Sequence, residues 1–481
     1  MPAAAWIDRT IFIAAACLVA SCAPHEPAPP AQGPIEDVSQ GTRVSPAAVE
    51  APPVEKMCEP LTIDVPALDD SKHAAAEVPL FDPTKGGMRS FYERFARVLR
   101  GRAKDHVRIG IYGDSNMTFD YIAGPMRRDL QTRFGDGGHG FIALARPWTH
   151  YQHMDVVHEV GPAFTSYAVT TKPTKDGMYG YAGIVGESPA VGSKVRVGTA
   201  KEGAPIGRSA SRFDVFYLMG PRRGAFDVAV DGKTLASLDS EAPARGVGIH
   251  RVEVEDGPHM FDSIVRTPKY VRFLGGVLER KEPGLVVDQL GVGAMSTRCI
   301  PMEDPAISSP MIEFRRYDLV ILMTGMADIY ELDKAPGYAK YVVDLHRAAN
   351  KDVSFLLVSP PDRGVSHATD ELVTLGQQRK ALASEIGVAY WDWLEAMGGK
   401  TSMMQFIKKQ LALPDQLHFT EAGGAWVSRR LTRAILADFA KYLRENPSAG
   451  CGDDVTPERE PWPAGSHSRT DVPARPPGAV R

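Results

Sequence analysis

A serine, an aspartate and a histidine stand in this chain where together they could activate an oxygen nucleophile. Ser115 lies in Ile109-Gly110-Ile111-Tyr112-Gly113-Asp114-Ser115-Asn116, where an apolar run enters a Gly-Asp-Ser turn. Roughly 300 residues further on, Pro414-Asp415-Gln416-Leu417-His418-Phe419-Thr420 sets an Asp and a His three apart, ahead of a long helical pattern. A serine hydroxyl is a poor nucleophile at its own pKa. It needs a base within hydrogen-bond reach, and that base needs an orienting partner. A strand that stops at a serine and turns into a helix puts the hydroxyl at the carboxyl end of a sheet, beside free backbone N–H groups. Ile122, Met126, Leu130 and Phe134 supply the apolar spacing of such a helix. Taken singly, each stretch has a blander reading: Gly-Asp-Ser is common in turns, and a histidine at a helix entrance can simply bond to backbone.

Taken together, the two stretches resemble the SGNH (GDSL-like) hydrolase family, over roughly 105–445 with an insertion. The resemblance implies Ser115 as nucleophile, His418 as general base and Asp415 as the partner of the imidazole. It also implies an oxyanion hole with three donors: the nucleophile's own N–H, a glycine N–H from a second block, and an asparagine side chain from a third. The Ser115 N–H meets the first requirement. The second block is Gly291-Val292-Gly293-Ala294-Met295-Ser296, with Gly293 or Ala294 at the key position. The third block departs from the family: Thr324-Gly325-Met326-Ala327-Asp328 puts Ala327 where asparagine is expected. Three outcomes are open. Asn116 replaces the donor, the hole works with two backbone donors, or catalysis has been lost; the complete Ser, Asp and His set favours a weaker or differently built hole. No metal-ligand spacing and no cofactor motif occurs.

The elements that must position these residues are legible as changes of texture. Phe91, Phe95, Val98 and Leu99 mark a helix over about 86–101. From 284 on, buried apolar runs (Leu285-Val286-Val287, Leu319 to Met323, Phe355 to Val358, Val388 to Trp391) alternate with helical periods, ending in a helix carrying Trp426, Ile435, Phe439 and Leu443. This predicts an α/β fold, a three-layer α/β/α domain with a mostly parallel sheet. Between 145 and 283 the helical periods vanish and short alternating runs appear, among them Phe226 to Val230 before the hairpin signal Asp231-Gly232. That stretch predicts an inserted β-sandwich. The expected division is 1–21 signal peptide, 22–56 linker, 57–144 first part of the α/β domain, 145–283 insert, 284–446 second part, and 447–481 disordered tail.

The amino terminus reads as a targeting segment. Arg9 precedes an apolar run, Ile11 to Ala20, that is too short to span a bilayer, and Val19-Ala20-Ser21-Cys22 resembles a bacterial lipobox. Cys22 is the lipidation candidate, and a plain signal peptide is the alternative. Both imply export; the lipobox implies a cell-envelope protein, periplasmic or surface-exposed, anchored through lipid at the outer membrane. Cys58 and Cys451 flank the globular region and suit a disulfide, which leaves Cys299 as a free, buried thiol. With 481 residues, 43% apolar, and a formal net charge of −4, the chain is an ordinary globular one without the basic footprint of a nucleic-acid binder.

This layout, with Arg133-Phe134-Gly135-Asp136-Gly137-Gly138-His139-Gly140-Phe141 after the first helix, narrows the resemblance to the peptidoglycan O-acetylesterase branch, whose inserted domain is similar to carbohydrate-binding modules. That implies a serine esterase acting on an acetylated cell-envelope polysaccharide through an acyl-Ser115 intermediate. An O-acetyltransferase using the same residues is a second reading. A non-catalytic glycan-binding surface lipoprotein is a third, for which Ala327 is the argument. Asp114 reads as a turn residue. His139 is open between a loop role and the site wall, and Arg363 between an anionic substrate and a helix cap.

Overall fold

The computed structural model describes residues 59–364, 369–455 and 472–476. The expected signal segment, Cys22, the linker and Cys58 lie outside the described residues. The apolar runs become five parallel strands, in sheet order Leu285–Gly291, Val107–Gly113, Leu319–Met323, Ser354–Val358 and Ala389–Trp391. Every neighbouring pair is parallel. All five are buried along their whole length, so their sequences read as continuous apolar runs rather than as alternation.

The alternation survives in what each residue meets. Ile109 and Ile111 pack with Phe91, Phe95, Met126, Trp426 and Phe439, whereas Tyr112 lies on the other side with Met311, Val342 and Leu357. Helices Arg89–Leu99, Ala123–Phe134 and Glu421–Glu445 therefore cover one face of the sheet, and Pro305–Arg315, Ala335–Ala349 and Thr369–Ile386 cover the other. The strand Val107–Gly113 is flanked by the next two strands of the sheet in chain order, one on each side, so the connections diverge at its end. That is where an open α/β sheet leaves a crevice. The register makes the ends level: Gly113 lies opposite both Gly291 and Met323. Residues just past all three strands thus reach the same edge.

The chain between 140 and 279 forms two antiparallel sheets. One contains Gly246–Gly257, Ala210–Met219, Val271–Glu279, Ile184–Ser188 and Thr165–Ala168, with Gly140–Ile142 also paired to Val271–Glu279. The other contains Val156–Val160, Lys194–Thr199, Met260–Val265, Ala225–Val230 and Lys233–Asp239. Asp231 and Gly232 both take positive φ, 51° and 83°, and close the expected hairpin with a primed-type turn. Along Ala210–Met219, Phe213, Val215 and Tyr217 join one apolar cluster with Val197, Phe226 and Phe261 of the second sheet. Phe216 and Leu218, one residue out of phase, join the cluster of the α/β core instead. This strand is thus buried on both faces.

A buried ionic knot ties this region to the parallel sheet. Glu279 receives Arg108 at 2.9 Å and Arg315 at 2.5 Å, and Arg315 also reaches Asp288 at 2.6 Å. Burial works to raise the Glu279 pKa, but the two guanidinium groups outweigh it and hold the carboxyl at about 2.

Three boundaries differ from expectation. Strand Gly140–Ile142 already belongs to an antiparallel sheet, ahead of residue 145. The chain stays packed past 446: Ala449 and Asp454 are buried, and Asp454 takes both oxygens to Arg94 at 2.8 and 2.9 Å. Cys451 is disulfide-bonded, and Cys299 is a buried free thiol. The third difference is at the serine. The strand does not run straight into the helix; a single 3-10 turn, Ser115–Met117, intervenes, and the helix begins at Ala123. Asp120 breaks the path between them with φ +62° and is held there by Arg127 at 2.8 Å.

Candidate active site

The serine turn is built from its neighbours. The Asp114 carboxylate accepts the Asn116 N–H at 3.0 Å, and Thr118 donates to the Ser115 carbonyl from its N–H at 3.2 Å and its hydroxyl at 2.8 Å. Met117 then folds back across the strand ends. A Cβ on Gly113 or Gly291 would lie 2.1 or 2.3 Å from it, so both positions require glycine. Asp114 is buried, and burial pushes its pKa up, against backbone N–H bonds from Asn116 and Met326 that pull it down. Its role in the turn agrees with the sequence reading.

On the opposite wall, the loop before helix Glu421–Glu445 closes on itself. The Leu413 N–H donates to the His418 carbonyl at 2.7 Å, Gln416 takes φ +62°, and the Thr420 hydroxyl caps the helix by accepting the Gly423 N–H at 3.2 Å. Within this loop one Asp415 oxygen accepts the N–H groups of Leu417 and His418, both at 3.0 Å. The other meets His418 Nδ1 at 2.7 Å. His418 Nε2 lies 2.8 Å from Ser115 Oγ. Partial burial tends to raise the Asp415 pKa, but the hydrogen bonds from the His418 backbone and ring and from Leu417 prevail and set it below the usual carboxylate range. An ionised Asp415 fixes the Nδ1–H tautomer and leaves Nε2 free to accept from serine.

Ser115 and His418 face a cleft of about 410 Å³, lined also by Gly293, Ala294, Met326, Ala327, Trp148, Tyr330 and Arg363. The N–H groups of Ser115, Gly293 and Ala294 find no acceptor among the described residues. Ala294 sits at φ +58°, a left-handed conformation that costs a non-glycine residue about 1 kcal/mol or more. Gly293 and Ala294 both line the cleft. Ala327 also lines the cleft, as the position where the family carries asparagine.

Asn116 does not line the cleft. Its side-chain oxygen accepts the Phe419 N–H at 3.1 Å and its amide donates to the Leu417 carbonyl at 3.4 Å. The expected replacement oxyanion donor is thus committed to bolting the serine turn to the histidine loop, because the two segments that flank His418 present it with a matching donor and acceptor. His139 is likewise away from the cleft, buried with its Nε2 3.3 Å from His153 Nδ1.

Two groups of residues were missed in the sequence. Asp328 accepts the Thr297 N–H and hydroxyl, each at 2.7 Å, the Thr324 hydroxyl at 3.1 Å and Arg379 at 2.9 Å. Arg379 also donates to the Thr324 carbonyl and to the Val358 carbonyl. This buried pair locks the second and third blocks and the fourth strand into one frame around the cleft. The only signal was the acidic residue directly after Ala327; nothing marked Arg379. The second group is aromatic: Trp148 and His150 on one wall, and Tyr330, whose side of the rim leaves it 76% exposed. Among the described residues, no group of three or more His, Cys, Asp or Glu is placed to hold a metal ion.

The histidine cluster behind the site makes acid sensitivity measurable. His139, His153 and His158 touch in sequence, and burial pushes all three down, His153 and His158 to about 3. The unfolded chain protonates each imidazole below its ordinary 6.5, while in the folded chain His153 and His158 resist until about 3 and burial holds His139 well below 6.5. Their contribution to stability is therefore complete above pH 6.5 and is lost as pH falls through that window. Each should add a slope of about 1.4 kcal/mol per pH unit. Denaturant unfolding from pH 6 to 4 should show His153→Phe with a slope shallower than the parent by about that amount; identical slopes would contradict the buried neutral assignment.

No family model matches the chain, and no curated protein matches it. Solved structures do. That of a peptidoglycan O-acetylesterase matches with a TM-score of 0.62 at 18% identity, covering 76% of this chain and 99% of that one. A salicylyl-acyltransferase from a tetracycline biosynthetic pathway gives 0.28 at 14% identity, covering 60% and 98%. A family two carbohydrate esterase from Clostridium thermocellum gives 0.23 at 13%, covering 57% and 98%. Only the first score is high enough to compare folds. That likeness shows the fold: the parallel sheet, the Gly-Asp-Ser turn and the Asp-x-x-His loop stand in a fold similar to that of the peptidoglycan O-acetylesterase.

Proposed function

We propose that this protein is a serine esterase that removes O-acetyl groups from a cell-envelope polysaccharide such as peptidoglycan. The observation that carries the reading is the unbroken line from Asp415 through His418 to Ser115 Oγ, at 2.7 and 2.8 Å, opening into the cleft at the diverging strand ends. Ser115 Oγ attacks the acetyl carbonyl while His418 Nε2 takes the hydroxyl proton. The carbonyl oxygen becomes an oxyanion held by the N–H of Ser115 and that of Gly293 or Ala294. His418 returns the proton to the departing sugar hydroxyl, leaving acetyl-Ser115. Water then gives its proton to His418, attacks the acyl group and releases acetate, with the proton restored to Ser115. Asp415 stabilises the imidazolium in both halves.

The glycan part of the reading is supported by the peptidoglycan O-acetylesterase likeness and by the exposed Tyr330 ring at the cleft, a flat surface of the kind a sugar's apolar face covers. The two antiparallel sheets are read as an inserted β-sandwich similar to carbohydrate-binding modules. The test is acetate release from O-acetylated peptidoglycan and from a chromogenic acetyl ester by the purified protein. Absence of release from both would end the esterase reading.

Export and anchoring complete the proposal. Cys22, outside the described residues, is the acylated first residue of a mature lipoprotein held at the outer membrane of the cell envelope. Cys22→Ser should leave an unprocessed or soluble form, read by membrane fractionation and intact mass. A wild-type protein that is already soluble and unlipidated would replace the anchor with a plain signal peptide.

A further inference from the structure

We infer that Arg363 reads a carboxylate carried by the substrate saccharide and so sets the enzyme's preference for acidic acetylated glycans; the inference rests on the esterase reading above. Among the described residues, Arg363 is the one Lys or Arg side chain lining the cleft that holds Ser115 and His418. It makes no ion pair or hydrogen bond through its guanidinium among the described residues. The other arginines around the cleft are spent: Arg379 on Asp328, Arg298 on Glu331.

The backbone on both sides of Arg363 is pinned. Asp362 is fully buried and accepts the Met403 N–H at 2.8 Å. The Gly364 N–H meets the Gln416 carbonyl at 3.3 Å, and a Cβ at 364 would lie 2.3 Å from the Gln416 side chain. This joins the arginine's loop to the loop of Asp415 and His418. The fold therefore fixes the backbone that carries Arg363 at the wall of the cleft shared with Ser115.

Among the described residues, the only carboxylate on the cleft wall is Asp114, and it is turned to the backbone of its own turn. The chain's formal charge of −4 offers no general attraction for anions, so recognition of a negative group falls on this residue. A guanidinium pairs with a carboxylate through directed, charge-assisted bonds. Two saccharide sources carry that group near an acetylated hydroxyl: a uronate ring and the lactyl or peptide carboxylates of a muropeptide.

The experiment compares kcat/KM on acetylated alginate oligosaccharides, on O-acetylated muropeptides and on acetylated neutral xylo-oligosaccharides. The wild type should prefer an acidic substrate, and the preference should shrink as salt rises. Arg363→Gln should lower the ratio of acidic to neutral kcat/KM by about 10- to 100-fold, chiefly through KM, and Arg363→Lys should recover part of it. Whichever acidic substrate shows the larger loss identifies the source of the carboxylate. An unchanged ratio in Arg363→Gln overturns the inference. So does an equal fall of kcat on all three substrates, which would make Arg363 part of the reacting centre. A wild type inactive on all three and on a chromogenic acetyl ester overturns the esterase reading, and the inference with it.

Discussion

Ser115→Ala should lower acetyl-ester turnover by about 10⁴-fold or more while leaving the thermal unfolding midpoint nearly unchanged. The partner of the hydroxyl is the His418 ring at 2.8 Å, and the turn around it is held by Asp114, Thr118 and Met117 instead. His418→Ala should fall to a similar floor, and the double variant should fall little further. Members of one proton-transfer unit do not contribute separately: without the base the serine is an ordinary alcohol, and without the serine the base has nothing to activate. Steady-state hydrolysis of a chromogenic acetyl ester, with circular dichroism on the same samples, checks both statements. Losses that multiply in the double variant would mean that the two residues act apart.

Ala327→Asn should raise turnover by about 10- to 100-fold. The cleft presents backbone donors at Ser115, Gly293 and Ala294, but Asn116, the nearest side-chain amide in sequence, is engaged with Leu417 and Phe419. Position 327 faces the same space as Ser115, and the residue after it, Asp328, is locked by four hydrogen bonds from Thr297, Thr324 and Arg379. A new amide there starts from a fixed backbone. A well-aimed oxyanion donor is worth up to about 3–4 kcal/mol, and the gain should appear in kcat with KM little changed, because the charge develops only in the transition state. Asn116→Ala separates the two accounts of the hole. With Asn116 as a bolt between loops, its loss should lower kcat in the parent and in Ala327→Asn by the same factor. If Asn116 is the working donor, Ala327→Asn should instead rescue the activity that Asn116→Ala removes.

The parallel sheet and its site edge were legible because both depend on local pattern. Buried strands are unbroken apolar runs, and the Gly-Asp-Ser and Asp-x-x-His stretches each build their geometry within a few residues: Asp114 caps its own turn, and Asp415 holds the His418 N–H three residues on. What escaped depends on contacts between distant segments. Arg379 lies within helix Thr369–Ile386, where a charge reads as a solvated face, yet it is buried against Asp328. Asn116 reads as a free neighbour of the nucleophile; only the approach of residues 417–419 reveals its two bonds. The single turn at Ser115–Met117 was hidden because the helical spacing from Ile122 to Phe134 says where a helix runs and not where it begins, and the break is set by the Asp120–Arg127 pair. His139 sat in a glycine-rich run after the first helix, where it could have lined the site, but its environment is made by His153 and His158, from the start of the antiparallel region.

The central claim is that Ser115 is the activated nucleophile, and covalent labelling tests it most directly. The purified protein is treated with a fluorophosphonate, which reacts with a serine made nucleophilic by a neighbouring base, and is followed by intact mass, peptide mapping and acetyl-ester hydrolysis. The account predicts one phosphonyl group per chain, on Ser115, appearing in step with the loss of activity and absent from His418→Ala. Hydrolysis that persists with Ser115 fully labelled, or inactivation with the label on another residue, would contradict it.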